Sequence, residues 1–104
     1  MAWTWVAIAG AFEIGWALSL SQSAGFSRFW PSAIMLVCMA ASLGAMSMAL
    51  RDLPMGTAYA VWTGIGAAGT AIAGIMLYGE SASAARLLSI ALIVAGIAGL
   101  KLVE

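Results

Sequence analysis

Residues 3–20 read WTWVAIAGAFEIGWALSL, an apolar run holding one ionisable side chain, Glu13. About 20 apolar residues in a helix cross the hydrocarbon core of a bilayer. Glu13 lies ten residues past Trp3. At 1.5 Å per residue that is roughly 15 Å into the membrane, near its midplane. A carboxylate there costs roughly 3 kcal/mol on insertion scales, so it must be neutral, paired or facing water. No other charged residue of the chain falls at that depth. An internal salt bridge therefore does not explain it, and an intramembrane ionisable group of this kind marks a functional site.

Three further runs follow. The sequence predicts helices over residues 3–20, 30–50, 54–77 and 84–102. Ser21, Gln22 and Ser23 close the first. Pro31 starts the second, where its missing N–H costs nothing, and Arg51 and Asp52 end it. Gly79, Glu80 and Ser81 end the third. The linkers are short, so successive helices run antiparallel and both termini lie on one side. The expectation is an all-α membrane protein with one domain of four transmembrane helices over residues 1–104.

Composition agrees. Of 104 residues, 64% are hydrophobic and 8% charged, with a mean hydropathy of +1.08. A soluble domain carries about half apolar and about a quarter charged residues. Four Lys/Arg balance four Asp/Glu and there is no His, so no basic or acidic tail points to nucleic acid. With no His and one Cys, neither a metal site nor a cofactor is expected. No nucleophile–base pair points to an enzyme. Cys38 sits inside an apolar run and reads as a small buried hydrophobe. The first run lacks a preceding basic segment and a small-residue cleavage pattern, so it is expected to be retained as a helix.

The ends of the runs carry interface anchors. Trp3, Trp5, Trp30 and Tyr78 fall where aromatic rings prefer to sit. Lys and Arg normally gather on the cytoplasmic side. Here Arg28 and Arg86 fall on one side, and Arg51 and Lys101 on the other. An unbiased chain can insert in both orientations. Such a population can form an antiparallel, dual-topology homodimer with the inverted symmetry that transporters use for alternating access.

Other helices bring polar and aromatic groups to the depth of Glu13. Ser42 is eleven residues past Pro31, roughly 16 Å in. Tyr59 and Trp62 are five and eight residues past Pro54, roughly 8 and 12 Å in. Trp16 shares a helix face with Glu13, Tyr59 with Trp62, and Met39 with Ser42. Trp16 and Trp62 lie too deep for an interface belt. Large aromatics also fill space between helices, but their convergence with Glu13 suits a cation. A carboxylate accepts paired hydrogen bonds from planar N–H donors, and aromatic faces attract desolvated cations. Ser and Tyr hydroxyls can hold the carboxylate in position.

Two runs of small residues stand out. Gly64-Ile65-Gly66-Ala67-Ala68-Gly69 fits the dinucleotide-binding glycine pattern. That fingerprint needs a strand before it and a helix after it; here it lies inside an apolar span, so it is rejected. Gly64, Gly66 and Gly69 are instead candidates for a hinge in the third helix, or for close packing. In the fourth helix Ala91, Ala95 and Gly99 recur every four residues. This is a helix-association stripe and a candidate dimer contact.

Ala9-Gly10-x-x-Glu13 with Trp16, Gly25-Phe26-Ser27-Arg28 leading to Pro31-Ser32, and the long run from Leu53-Pro54 through Gly56-Thr57-Ala58-Tyr59-Ala60-Val61-Trp62-Thr63-Gly64-Ile65-Gly66 are together specific. On these residues the chain resembles the small multidrug resistance family of proton-coupled exporters over essentially its whole length. Glu13-x-x-Trp16, Met39, Ser42 and Gly99-Leu100-Lys101 look like the guanidinium-exporter subtype. The resemblance implies an antiparallel, dual-topology homodimer in a bacterial inner membrane. It also implies a shared proton and substrate site at the two Glu13 residues, lined by Trp16, Ser42, Tyr59, Trp62 and Met39. Ser21 departs from the family, which often has a lysine just after the first helix.

The function expected is proton-coupled antiport exporting guanidinium and small substituted guanidinium cations. Guanidinium, like the Arg side chain, stays cationic at physiological pH, so proton and cation would alternate on the Glu13 pair. Three alternatives remain: a quaternary ammonium multidrug exporter of the same family, a dual-topology ion channel, and a structural or assembly protein with no transport.

Overall fold

The computed structural model describes residues 1–103. They form four helices: α1 Ala2–Gln22, α2 Phe29–Ala49, α3 Met55–Tyr78 and α4 Ala84–Val103. At 1.5 Å per residue each is about 30 Å long or more, the thickness of the hydrocarbon core. Each is long and apolar enough to cross a membrane.

The ends follow from local chemistry. α1 continues through Ser21 and Gln22, two residues further than its apolar run. It stops at Ser23, whose buried hydroxyl donates to the Leu20 carbonyl (2.8 Å) and accepts from the Phe26 N–H (3.2 Å). α2 starts at Phe29, so Pro31 stands in its first turn, where the first N–H groups have no partner within the helix. Pro54, extended at φ −60° and ψ 144°, caps α3 from outside. At the far end Gly79 takes the left-handed conformation (φ +64°), which glycine adopts without a Cβ penalty. The N–H groups of Gly79 and Glu80 both donate to the Gly74 carbonyl.

The helices lie side by side in the order α2, α1, α3, α4. The result is a slab of 41 × 35 × 16 Å rather than a closed bundle. α4 packs on α3 alone, and Ile90 is its one buried residue among those described.

The core sits at one end of the slab. Val6 and Ala9 of α1, Ala45, Met46 and Ala49 of α2, and Ala58 and Val61 of α3 form one buried cluster. Trp3, Leu53, Trp62, Ile65, Ile97 and Leu100 close around it. These are the start of α1, the end of α2, the start of α3 and the end of α4. The chain is therefore tightly joined at the end bearing the α2–α3 turn. Toward the other end a cleft runs between α1 and α3.

Candidate functional site

The cleft encloses about 510 Å³. Glu13, Trp16, Ala17 and Ser21 line it from α1. Thr63, Gly66, Thr70, Gly74 and Tyr78 line it from α3. Glu80 and Arg86 stand at its outer end. Two regular stripes make these walls. Positions 13, 17 and 21 recur every four residues on α1, and positions 63, 66, 70, 74 and 78 recur every three or four on α3.

Glu13 is set against α3 at a glycine. A Cβ built at Gly66 would lie 2.5 Å from Glu13 Cδ and 2.9 Å from its Cγ. Any larger residue would displace the carboxylate. Glu13 Oε2 is buried and makes no hydrogen bond among the described residues. A buried acceptor without a partner incurs the full desolvation penalty, about 1–3 kcal/mol and more for a charged group.

The sequence-derived residues divide into two groups. Glu13 and Trp16 share the cleft. Ser42, Tyr59 and Trp62 form a connected set beside it. The Trp62 indole Nε1–H donates to Ser42 Oγ (2.9 Å), and the Ser42 hydroxyl donates to the Ala9 carbonyl (2.7 Å). Ser42 is fully buried. Its hydroxyl thus holds the α1 backbone one turn before Glu13, where a contact with the carboxylate itself was expected. Tyr59 meets Trp62 edge-to-face at 5.7 Å and 78°. Both border a smaller hollow of about 230 Å³ with Leu43, Met46 and Met55. Tyr59 is 52% exposed, and Met39 is half-buried. Neither lines the Glu13 cleft within this one chain.

The small residues of α3 have individual contacts. α3 is one unbroken helix through Gly64, Gly66 and Gly69. Gly64 faces α4, where a Cβ would come within 3.0 Å of Ile97 Cδ1. Gly66 faces Glu13, and Gly69 faces Ile14, with no room for a Cβ at either. In this conformation the three serve close approach between helices. Ala91, Ala95 and Gly99 all lie exposed on α4, and a Cβ at Gly99 would meet nothing within 4 Å.

Sequence reasoning missed the outer part of the cleft. Gln22 Nε2 donates to the Tyr78 hydroxyl (2.8 Å), with Ser21 Oγ 3.5 Å from the same oxygen. These contacts tie the end of α1 to the end of α3. Beside them Arg86 Nη2 pairs with Glu80 Oε1 at 2.5 Å. The polar repeat Thr63, Thr70, Tyr78 along α3 was the available signal for this wall.

Comparison with known proteins agrees with this architecture. Residues 1–93 match the family model described as Small Multidrug Resistance protein. A guanidinium exporter of Yersinia pseudotuberculosis is 63% identical over 98% of each chain. Proteins with the same name from Citrobacter freundii and Salmonella typhimurium are 59% and 58% identical, over 98% of this chain and 97% of theirs. Four apolar helices and bacterial relatives make this a multi-pass protein of the bacterial inner membrane. The chain belongs to the small multidrug resistance family.

Proposed function

We propose that this transporter is a proton-coupled antiporter that exports guanidinium and small substituted guanidinium cations, working as an antiparallel dual-topology homodimer. The observation that carries the reading is the buried, unpartnered Oε2 of Glu13 in a cleft of the membrane interior. The names of the relatives support the choice of cation.

The chemistry follows from one carboxyl group. A guanidinium ion brings planar N–H donors that match a carboxylate geometrically. Trp16, three residues along the same face, offers an aromatic surface to the cation. A proton satisfies the same oxygen. Proton and cation therefore exclude each other at Glu13, and exclusion at one site is the basis of exchange. Coupling further requires that the bare carboxylate not cross between the two open states.

The slab supports the dimer. One sheet of helices leaves α4 almost wholly exposed and one side of the site uncovered. A second copy inserted in the opposite sense would cover both. It would also bring a second Glu13 to the same depth, so that the two carboxyls titrate as a coupled pair. Ser42, Tyr59, Trp62 and Met39 would then complete the lining. Ala91, Ala95 and Gly99 would form the contact between copies, and Gly64, Gly66 and Gly69 would let α3 flex between open states.

Proteoliposome currents on adding guanidinium, and then tetraalkylammonium, test the reading. Guanidinium currents that depend on Glu13 support it. Currents with tetraalkylammonium alone would favour the multidrug exporter, and cation flux indifferent to a proton gradient would favour a channel.

A further inference from the structure

The cleft holds two carboxylates, seated in the same way. Glu13 lies against Gly66, and Glu80 lies against Gly74, where a Cβ would come within 2.8 Å of Glu80 Cδ and 3.2 Å of its Oε2. The two glycines are eight residues apart on α3, roughly 12 Å along the helix. Glu80 reaches its seat because the chain turns back at left-handed Gly79 and its N–H closes on the Gly74 carbonyl (3.2 Å). Both carboxylates line one cleft, Glu13 inside it and Glu80 at its mouth.

Glu80 already binds a guanidinium group. That group is the side chain of Arg86, joined through Nη2 to Oε1 at 2.5 Å. The pair is accessible, with side chains 33% (Arg86) and 46% (Glu80) exposed. Ion pairs this open to water contribute little to stability and exchange readily. The other cation at this end, Arg28, is turned to the Gln22 carbonyl (3.3 Å).

We infer that Glu80 is an outer receiving site for guanidinium-type cations at the mouth of the cleft, with the Arg86 guanidinium as its tethered occupant. An arriving cation displaces Arg86 from Glu80, and Arg86 in turn displaces the cation inward toward Glu13. On Glu80 one guanidinium replaces another, while the tethered Arg86 stays at the mouth. The arriving cation thus adds one positive charge there, and the repulsion between the two cations is relieved when the free one moves inward. Release runs the same steps in reverse. The inference rests on the proposed export of guanidinium through the Glu13 cleft.

The test separates a receiving site from a simple strut between Gly79 and α4. Glu80→Gln and Arg86→Gln break the same ion pair. A strut predicts that both variants change transport in the same direction. A receiving site predicts opposite directions. Glu80→Gln leaves Arg86 unpaired at the mouth and raises the guanidinium KM. Arg86→Gln frees the carboxylate and lowers it. Each shift should be roughly two- to fivefold, the scale of an exposed charge contact, and should shrink in high salt.

Glu80→Asp, which keeps the charge, serves as the second variant and should stay nearer to wild type than Glu80→Gln. The measurement is guanidinium concentration dependence of transport currents in proteoliposomes, for wild type and the three variants. Opposite KM shifts for the two Gln variants support the outer site. Shifts of the same sign, or none, overturn it while leaving the central site standing. A wild type with no Glu13-dependent guanidinium current would instead overturn the proposed function beneath it.

Discussion

Gly66 leaves the space that the Glu13 carboxyl group fills: a methyl at position 66 would lie 2.5 Å from Glu13 Cδ. The two residues face each other across the α1–α3 contact, deep in the membrane. Gly66→Ala is therefore predicted to push the carboxyl group out of its seat. Guanidinium affinity should fall about tenfold or more, the scale of losing a charged hydrogen bond. Gly44→Ala, where a Cβ meets nothing within 4 Å, should leave affinity near wild type. Titration of both variants in detergent by intrinsic tryptophan fluorescence measures this.

Ser42 joins two elements through one oxygen, donating to Ala9 and accepting from Trp62. Ser42→Ala strands the Trp62 indole N–H and removes the tether on α1. It should cost about 1–3 kcal/mol of stability. Trp62→Phe should cost less in the Ser42→Ala background than in wild type, because the bond it removes is already gone. Thermal unfolding of the two single variants and the double variant measures the coupling.

Proton and cation compete for Glu13 in the proposed cycle. Guanidinium binding should weaken as pH falls, by up to about tenfold per pH unit for each proton displaced. Glu13→Gln should bind weakly and without that pH dependence. Isothermal titration across a pH series gives the slope.

The exposed stripe Ala91, Ala95 and Gly99 makes few contacts within its own chain. Gly99→Leu should leave helix content and folding of the single chain intact while weakening the contact between copies. Cross-linking in detergent, as a function of protein concentration, should shift toward monomer. An unchanged dimer would place the contact elsewhere.

The four helices were legible because each run is continuously apolar and close to the thickness of the membrane. Their ends shifted by a residue or two where polar caps such as Ser23 outlasted the apolar run. Glu13 stood out because a carboxylate inside an apolar run is costly in lipid, and it lies in the cleft. The role of Gly66 was not, since a glycine in a small-residue run does not reveal which neighbour it admits. Gly64, Gly66 and Gly69 look alike in sequence but face Ile97, Glu13 and Ile14 in turn. The bond of Ser42 to Ala9 depends on the crossing of α1 and α2, which no spacing along one helix encodes. The outer pair Glu80 and Arg86 was read as a helix end and an anchor. Only the turn at Gly79 brings the two together over the cleft.

Currents from proteoliposomes carrying wild type and Glu13→Gln, with guanidinium added across a proton gradient, test the central claim most directly. Wild type should give guanidinium currents that follow the gradient, and Glu13→Gln should give none while remaining folded and membrane-inserted. Gradient-driven guanidinium transport that persists in Glu13→Gln would contradict the account.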